Sequence, residues 1–307
     1  MKTPITKLAK QTGGLNAFRQ FTRTAFLFVA SLLLFSSIPI QADEVSDKGK
    51  SILEKNKSAV VTIQLVMKGK WEMKGYNQPA TEMKQDITGF VIDSTGLTVT
   101  ALVGTDPGQM YESYYASSGA GEKPKWQSEL TDIKILSPDG TEIAAEVVLR
   151  DRDLDLAFLR PVKKPEPPLP FIDLENAGEV QVLDEVISLN RLGAVSQRVY
   201  AASVERISAV VTKPKKFYIP GSEATTTRMG CPAFSLDGKL IGIFVTRMSK
   251  GRSGGSATFS AGDNFASILL PAGDIRKVAL QAQAHAEKPK DEKKADNAEA
   301  EKTPEKK

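Results

Sequence analysis

Asp155, Cys231, His285 and the triplet Thr225-Thr226-Thr227 are the side chains with which this chain could attempt acid–base or nucleophilic chemistry. A hydroxyl or thiol nucleophile needs a neighbouring base to take its proton and return it, and imidazole is the usual one near neutral pH. The chain has one histidine, His285, at the edge of a charged tail. Its one cysteine, Cys231, precedes Pro232-Ala233-Phe234, an apolar context that keeps a thiol protonated. Cys231 could serve as a nucleophile only with a lysine such as Lys213, Lys215 or Lys216 as base, and the threonines face the same requirement. One His and one Cys make no cluster with ligand spacing, so neither a metal nor another cofactor is expected. An internal disulfide is impossible; Cys231 is either a small buried residue or a thiol that pairs with another chain.

The elements that would position these residues are mostly strands. Val60–Met67 is a β-branched and apolar run, Thr88–Asp93 and Leu97–Val103 flank the turn Ser94-Thr95-Gly96, and Ile133–Leu136 is joined by Pro138-Asp139-Gly140 to Ile143–Leu149. Further strands are expected at Leu154–Leu159, Glu185–Leu189, Val199–Val211, Ala233–Ser235 and Lys239–Val245. Short, regularly spaced strands with Gly and Pro turns imply an all-β barrel or sandwich. Helices are expected only at the margins, over Ser46–Lys57 and Pro271–Ala284, packed outside the strands. Thr105–Ser128 reads as a long loop whose Tyr111, Tyr114 and Tyr115 could face a partner, and Pro161–Pro170, with five prolines, as a stiff linker.

The 307 residues suit one large or two small domains. Lys2, Lys7, Lys10, Arg19 and Arg23 precede the apolar run Ala25–Ile40, which closes with Gln41-Ala42 before Asp43. This pattern predicts an export signal cleaved after Ala42 and a periplasmic or extracellular protein, with an uncleaved anchor as the alternative. Without residues 1–42, 36 of the 41 basic residues remain against 37 acidic ones, a balance that leaves no basic surface for nucleic acid. Residues 287–307 carry seven Lys and seven acids with no large apolar side chain, and are expected to be a disordered polyampholyte. The expected organisation is therefore a signal at 1–42, a first barrel with its leading helix at 43–163, a Pro-rich linker at 164–174, a second barrel with a helix at 175–285, and a tail at 286–307.

Four segments carry a resemblance. Thr88-Gly89-Phe90-Val91-Ile92-Asp93 with Gly96-Leu97-Thr98-Val99-Thr100, Asp155-Leu156-Ala157-Phe158-Leu159, Gly230-Cys231-Pro232 running on to Gly242-Ile243, and Ser267-Ile268-Leu269-Leu270-Pro271 occur in the order and spacing of the HtrA/Deg family of trypsin-like serine proteases. The resemblance spans about residues 51–282. It implies two six-stranded antiparallel Greek-key β-barrels of the chymotrypsin type with a short C-terminal helix. It also implies a catalytic triad, whose positions fall on Val103, Asp155 and Met229. The oxyanion-loop positions fall on Thr227, Arg228 and Gly230, and Cys231 replaces another of the family's glycines.

Valine cannot accept a proton, and methionine offers only a thioether, so the carried-over site lacks base and nucleophile. Asp155 is then expected to be a carboxylate held by hydrogen bonds or facing water. Met229 and Cys231 would fill space that substrate occupies in the family. The expected function is a non-catalytic protease homologue that binds polypeptide or a partner protein. The alternatives are a peptidase with Cys231 as displaced nucleophile, and a structural or assembly module of the cell envelope. The resemblance suggests a trimer, and no PDZ module is expected after the last helix.

Overall fold

The computed structural model describes residues 41–73, 75–108, 111, 125–221, 228–248 and 265–287. The expected signal run at 25–40 and the tail beyond Glu287 lie outside the described residues, as do Tyr114, Tyr115 and Thr225–Thr227. No helix among the described residues is long and apolar enough to cross a membrane. Residues 47–307 form one compact unit; of residues 1–46 only 41–46 are described.

The first described element is helix α1 (Gln41–Asn56), which starts five residues before the expected Ser46. Strand β1 (Val60–Met73) buries Val61, Ile63, Leu65 and Met67 on alternate positions, the period that turns one face of a strand inward. It pairs on one side with β3 (Thr81–Val91), through Val60↔Phe90 to Gly69↔Thr81, and at its end with the two-residue β2 (Tyr76–Asn77). On its other side it pairs with β5 (Lys125–Leu136), from Thr62↔Leu136 to Glu72↔Lys125. Strands β4 (Thr98–Ala101), β6 (Glu142–Asp151) and β7 (Leu156–Pro161) complete the ring β1-β3-β4-β7-β6-β5, which closes through the β1–β5 pairing.

The second barrel repeats this order. Strands β8 (Glu185–Arg191), β9 (Tyr200–Val211), β10 (Phe217–Pro220), β11 (Pro232–Ser235), β12 (Leu240–Met248) and β13 (Phe265–Pro271) close as β10-β13-β12-β11-β8-β9. Leaving aside β2, both barrels run first, second, third, sixth, fifth, fourth around the ring, the Greek-key connectivity of the all-β chymotrypsin-like fold. Closure leaves no long exposed edge in either ring. Val61, Ile63, Leu65, Val91, Ile135 and Leu159 fill the first barrel; Val186, Ile207, Tyr218, Ala233, Ile241, Phe244 and Leu269 fill the second. Each Val, Leu, Ile or Phe side chain among them contributes about 1.5–3 kcal/mol of burial.

Several boundaries differ from the sequence reading for local reasons. The expected strand Leu97–Val103 ends at Ala101 and turns into the short helix α2 (Leu102–Thr105), whose first N–H groups are taken by Asp155. The strand expected from Leu154 starts at Leu156, because Asp155 stands at φ +56°, outside the β region. Lys125–Ser128, expected in a loop, belong to β5. They pair with the far end of β1, where Trp71 faces Trp126 across the strands with ring centres 5.0 Å apart; Tyr111 packs on both. Neither Thr81–Ile87 nor Phe217–Pro220 carries a clear period-two pattern, yet both are strands. The last helix, α3 (Ala272–Glu287), runs three residues past Ala284, so His285 lies in its final turn.

Both barrels are tied to each other. The stretch after Pro161 buries Leu169, Ile172 and Leu174, and the Ile172 N–H donates to the Val91 carbonyl at 2.9 Å. Helix α3 packs on β12 and β13 of the second barrel and on β6 and β7 of the first. The Thr88 hydroxyl donates to Asn190 Oδ1 at 2.6 Å, the Arg198 guanidinium meets Asp86 at 2.8 Å, and Arg191 donates to the Leu136 and Ser137 carbonyls at 3.0 and 3.1 Å.

Candidate functional site

Four residues converge where the barrels meet. Asp155 comes from the turn between β6 and β7, Val103 from the head of α2, Thr246 from β12 and Met229 from the connection into β11. The left-handed conformation of Asp155 is costly for a residue with a side chain, on the order of 1–3 kcal/mol, and persists because its surroundings hold it. Its carbonyl accepts the Leu102 N–H at 2.8 Å. Its carboxylate accepts the Val103 N–H on Oδ1 at 2.9 Å and the Thr246 N–H on Oδ2 at 2.7 Å. One side chain thus bridges the first barrel to the second. Burial raises its pKa to about 7, and the two N–H donors only partly oppose that rise.

The Thr246 hydroxyl donates to the Met229 sulfur at 3.4 Å, and Met229 is 9% exposed. Val103, Asp155, Thr246 and Met229 therefore form one chain of contacts. The structure brings together the three positions carried over from the triad, and Thr246, absent from the sequence reading, completes the link. No spacing rule marks Thr246, because its role comes from where β12 crosses the barrel junction.

The connection into β11 is fixed tightly. Gly230 stands at φ +85°, and a Cβ there would lie 2.0 Å from the Thr88 carbonyl oxygen and 2.6 Å from the Thr100 hydroxyl, so only glycine fits where this turn meets the first barrel. Its N–H donates to the Phe244 carbonyl at 2.8 Å, while the Cys231 N–H donates to the Arg228 carbonyl at 3.0 Å. Two amides of this turn thus bind the protein itself. The Arg228 guanidinium lies 2.9 Å from Glu205, and Thr227 lies outside the described residues.

Cys231 is fully buried among Val186, Tyr218, Ala233 and Phe244, and burial pushes its thiol up to about 12, against a hydrogen bond with Thr88 and the charge of Arg228. Such a thiol is not an activated nucleophile. Lys213 and Lys215 are exposed, and the Lys216 ammonium is paired with Glu179 at 2.9 Å. The structure does not gather these lysines around Cys231.

The paired six-stranded barrels with a loop site at their junction define the class of two-barrel, chymotrypsin-like proteins. The family model described as trypsin-like peptidase domain matches residues 87–243, that is 157 of the 307 residues, from β3 into β12. The chain belongs to this trypsin-like peptidase family. No curated protein matches it.

Proposed function

We propose that this trypsin-like peptidase domain binds polypeptide or a protein partner without cleaving it. The observation that carries the reading is the occupancy of Asp155. In a working triad the aspartate orients an imidazole; here its oxygens accept backbone N–H groups of Val103 and Thr246, and the sulfur of Met229 stands beyond Thr246. The chain's one histidine is in the last turn of α3. Among Val103, Asp155, Thr246 and Met229 the one titratable group is the Asp155 carboxyl, and neither an imidazole nor an activated nucleophile stands with it.

Binding has a surface available to it. Strand β11 pairs with β12 only as far as Ile243, whereas β12 and β13 pair on to Met248↔Phe265. Among the described strands, Thr246–Met248 thus have a strand partner on one side; on the other, where Asp155 already takes the Thr246 N–H, an extended segment would gain main-chain hydrogen bonds at the groups that remain, as an added strand. The basic stretch and apolar run at 2–40 support action outside the cytoplasm.

The test is incubation of the purified protein with unfolded casein, beside Cys231→Ala and Asp155→Ala, following both cleavage and complex formation. The expected result is a complex with no cleavage in any of the three. Cleavage by the parent that either variant loses would overturn the reading and point to a relocated catalytic site.

A further inference from the structure

Strand β9 places Ser203, Glu205 and Ile207 on one face, two residues apart, and Ile207 belongs to the core of the second barrel. This face therefore runs from the barrel mouth at Ser203 down to the packed interior at Ile207, with Glu205 one layer inside. The Glu205 side chain is 4% exposed. A carboxylate at that depth is retained only when charge and hydrogen bonds meet it.

Its partners are specific. The Ser203 hydroxyl lies 3.1 Å from Glu205 Oε1, and Ser203 is in turn 2.8 Å from the Ser188 hydroxyl on the neighbouring strand. A charged partner is the Arg228 guanidinium, 2.9 Å from the same carboxylate. Arg228 is 21% exposed where Glu205 is nearly sealed, so the arginine lies between the acid and solvent. The two come from different kinds of structure: Glu205 is fixed by its pairing with Val186 in β8, while Arg228 sits on the connection that precedes Met229.

We propose that the mouth of the second barrel is a guanidinium-binding pocket with Glu205 as its floor, Ser203 at its rim and the buried Ser188 behind Ser203, and that Arg228 occupies it in cis. A planar, forked cation suits a buried carboxylate because its parallel N–H groups satisfy oxygens that a compact ammonium meets at a single point. The occupant in trans is an arginine side chain, which must displace Arg228 to enter. That last step rests on the polypeptide-binding reading above; the pocket itself does not.

The test uses the full chain with Arg228→Ala, thermal unfolding, and N-methylguanidinium as probe. Arg228→Ala is expected to melt lower than the parent and to be restored by the probe in a saturable way. At roughly ten times the dissociation constant the folding equilibrium should shift about elevenfold. The parent, whose pocket is full, and the double variant Arg228→Ala with Glu205→Gln should show no such rise. An equal response in the double variant, or none in Arg228→Ala, overturns the proposal. Should Arg228→Ala fail to fold alone, its yield on refolding with N-methylguanidinium is compared with that in equal methylammonium, and equal yields overturn the proposal. Casein cleavage would sink the proposed function and leave this pocket standing, while a silent probe would do the reverse.

Discussion

Asp155→Asn should remove a distinct segment of the dependence of stability on pH. The carboxyl titrates at about 7 in the fold, against an ordinary 3.8, with burial as the main cause. Because the folded value is raised, the protonated carboxyl favours the fold. That contribution is complete below about pH 4 and is lost as pH rises through about 7. A difference of about three pH units at about 1.4 kcal/mol each gives a loss of about 4 kcal/mol across that window. Asparagine carries no charge to bury. Its carbonyl still accepts one of the Val103 and Thr246 N–H groups, but its NH₂ then faces the other, a pH-independent cost of about 1–3 kcal/mol. The variant should thus be the less stable protein near pH 4. The gap should narrow by about 1.4 kcal/mol per pH unit, and the order should invert between about pH 4.5 and 6, so that the variant is the more stable protein at neutrality. Urea unfolding at a series of pH values between about 4 and 8, followed by tryptophan fluorescence and circular dichroism, measures the difference directly. A parent-minus-variant difference that stays constant across this range would refute the reasoning, since it would mean that the two N–H donors outweigh burial and leave the carboxylate ionised throughout.

Other predictions follow from the same junction. Gly230→Ala should destabilise by about 3 kcal/mol or more, from left-handed strain plus collision with the Thr88 carbonyl, and should lower the melting temperature far more than Gly140→Ala, where a Cβ meets nothing. Cys231 should resist a thiol reagent at pH 8 in the native protein, where a thiol titrating at about 12 is ionised to about one part in ten thousand, and should react fully once unfolded; rapid native labelling would contradict its burial. Disruption of the Arg198–Asp86 pair by Asp86→Asn should cost no more than about 1 kcal/mol, because both side chains retain contact with solvent, and a larger loss of stability would show that this pair helps to hold the barrels together.

Much of the first barrel's outline was legible because its strands bury one face and alternate. Val60–Met67 showed that period clearly, and the Asp93–Gly96 turn was marked by its Ser-Thr-Gly sequence. Thr81–Ile87 was missed because its side chains are mostly exposed or half-buried, so no apolar alternation announces a strand that β1 holds in place. The far end of β5 was concealed for a related reason: Trp126 is covered by Trp71 and Tyr111 rather than by the barrel core.

At the junction the division is sharper. The amino-acid types alone establish that the chain has one histidine and one cysteine, and that valine and methionine stand at two of the positions carried over from the triad. The order of four short segments was enough to point to the two-barrel fold. Only the tertiary structure shows that Val103 and Thr246 meet on one carboxylate, that Gly230 touches Thr88, and that Arg228 reaches Glu205. Each of these contacts joins residues tens of positions apart on different strands, turns or helices, so it depends on barrel closure and register, which no local pattern encodes.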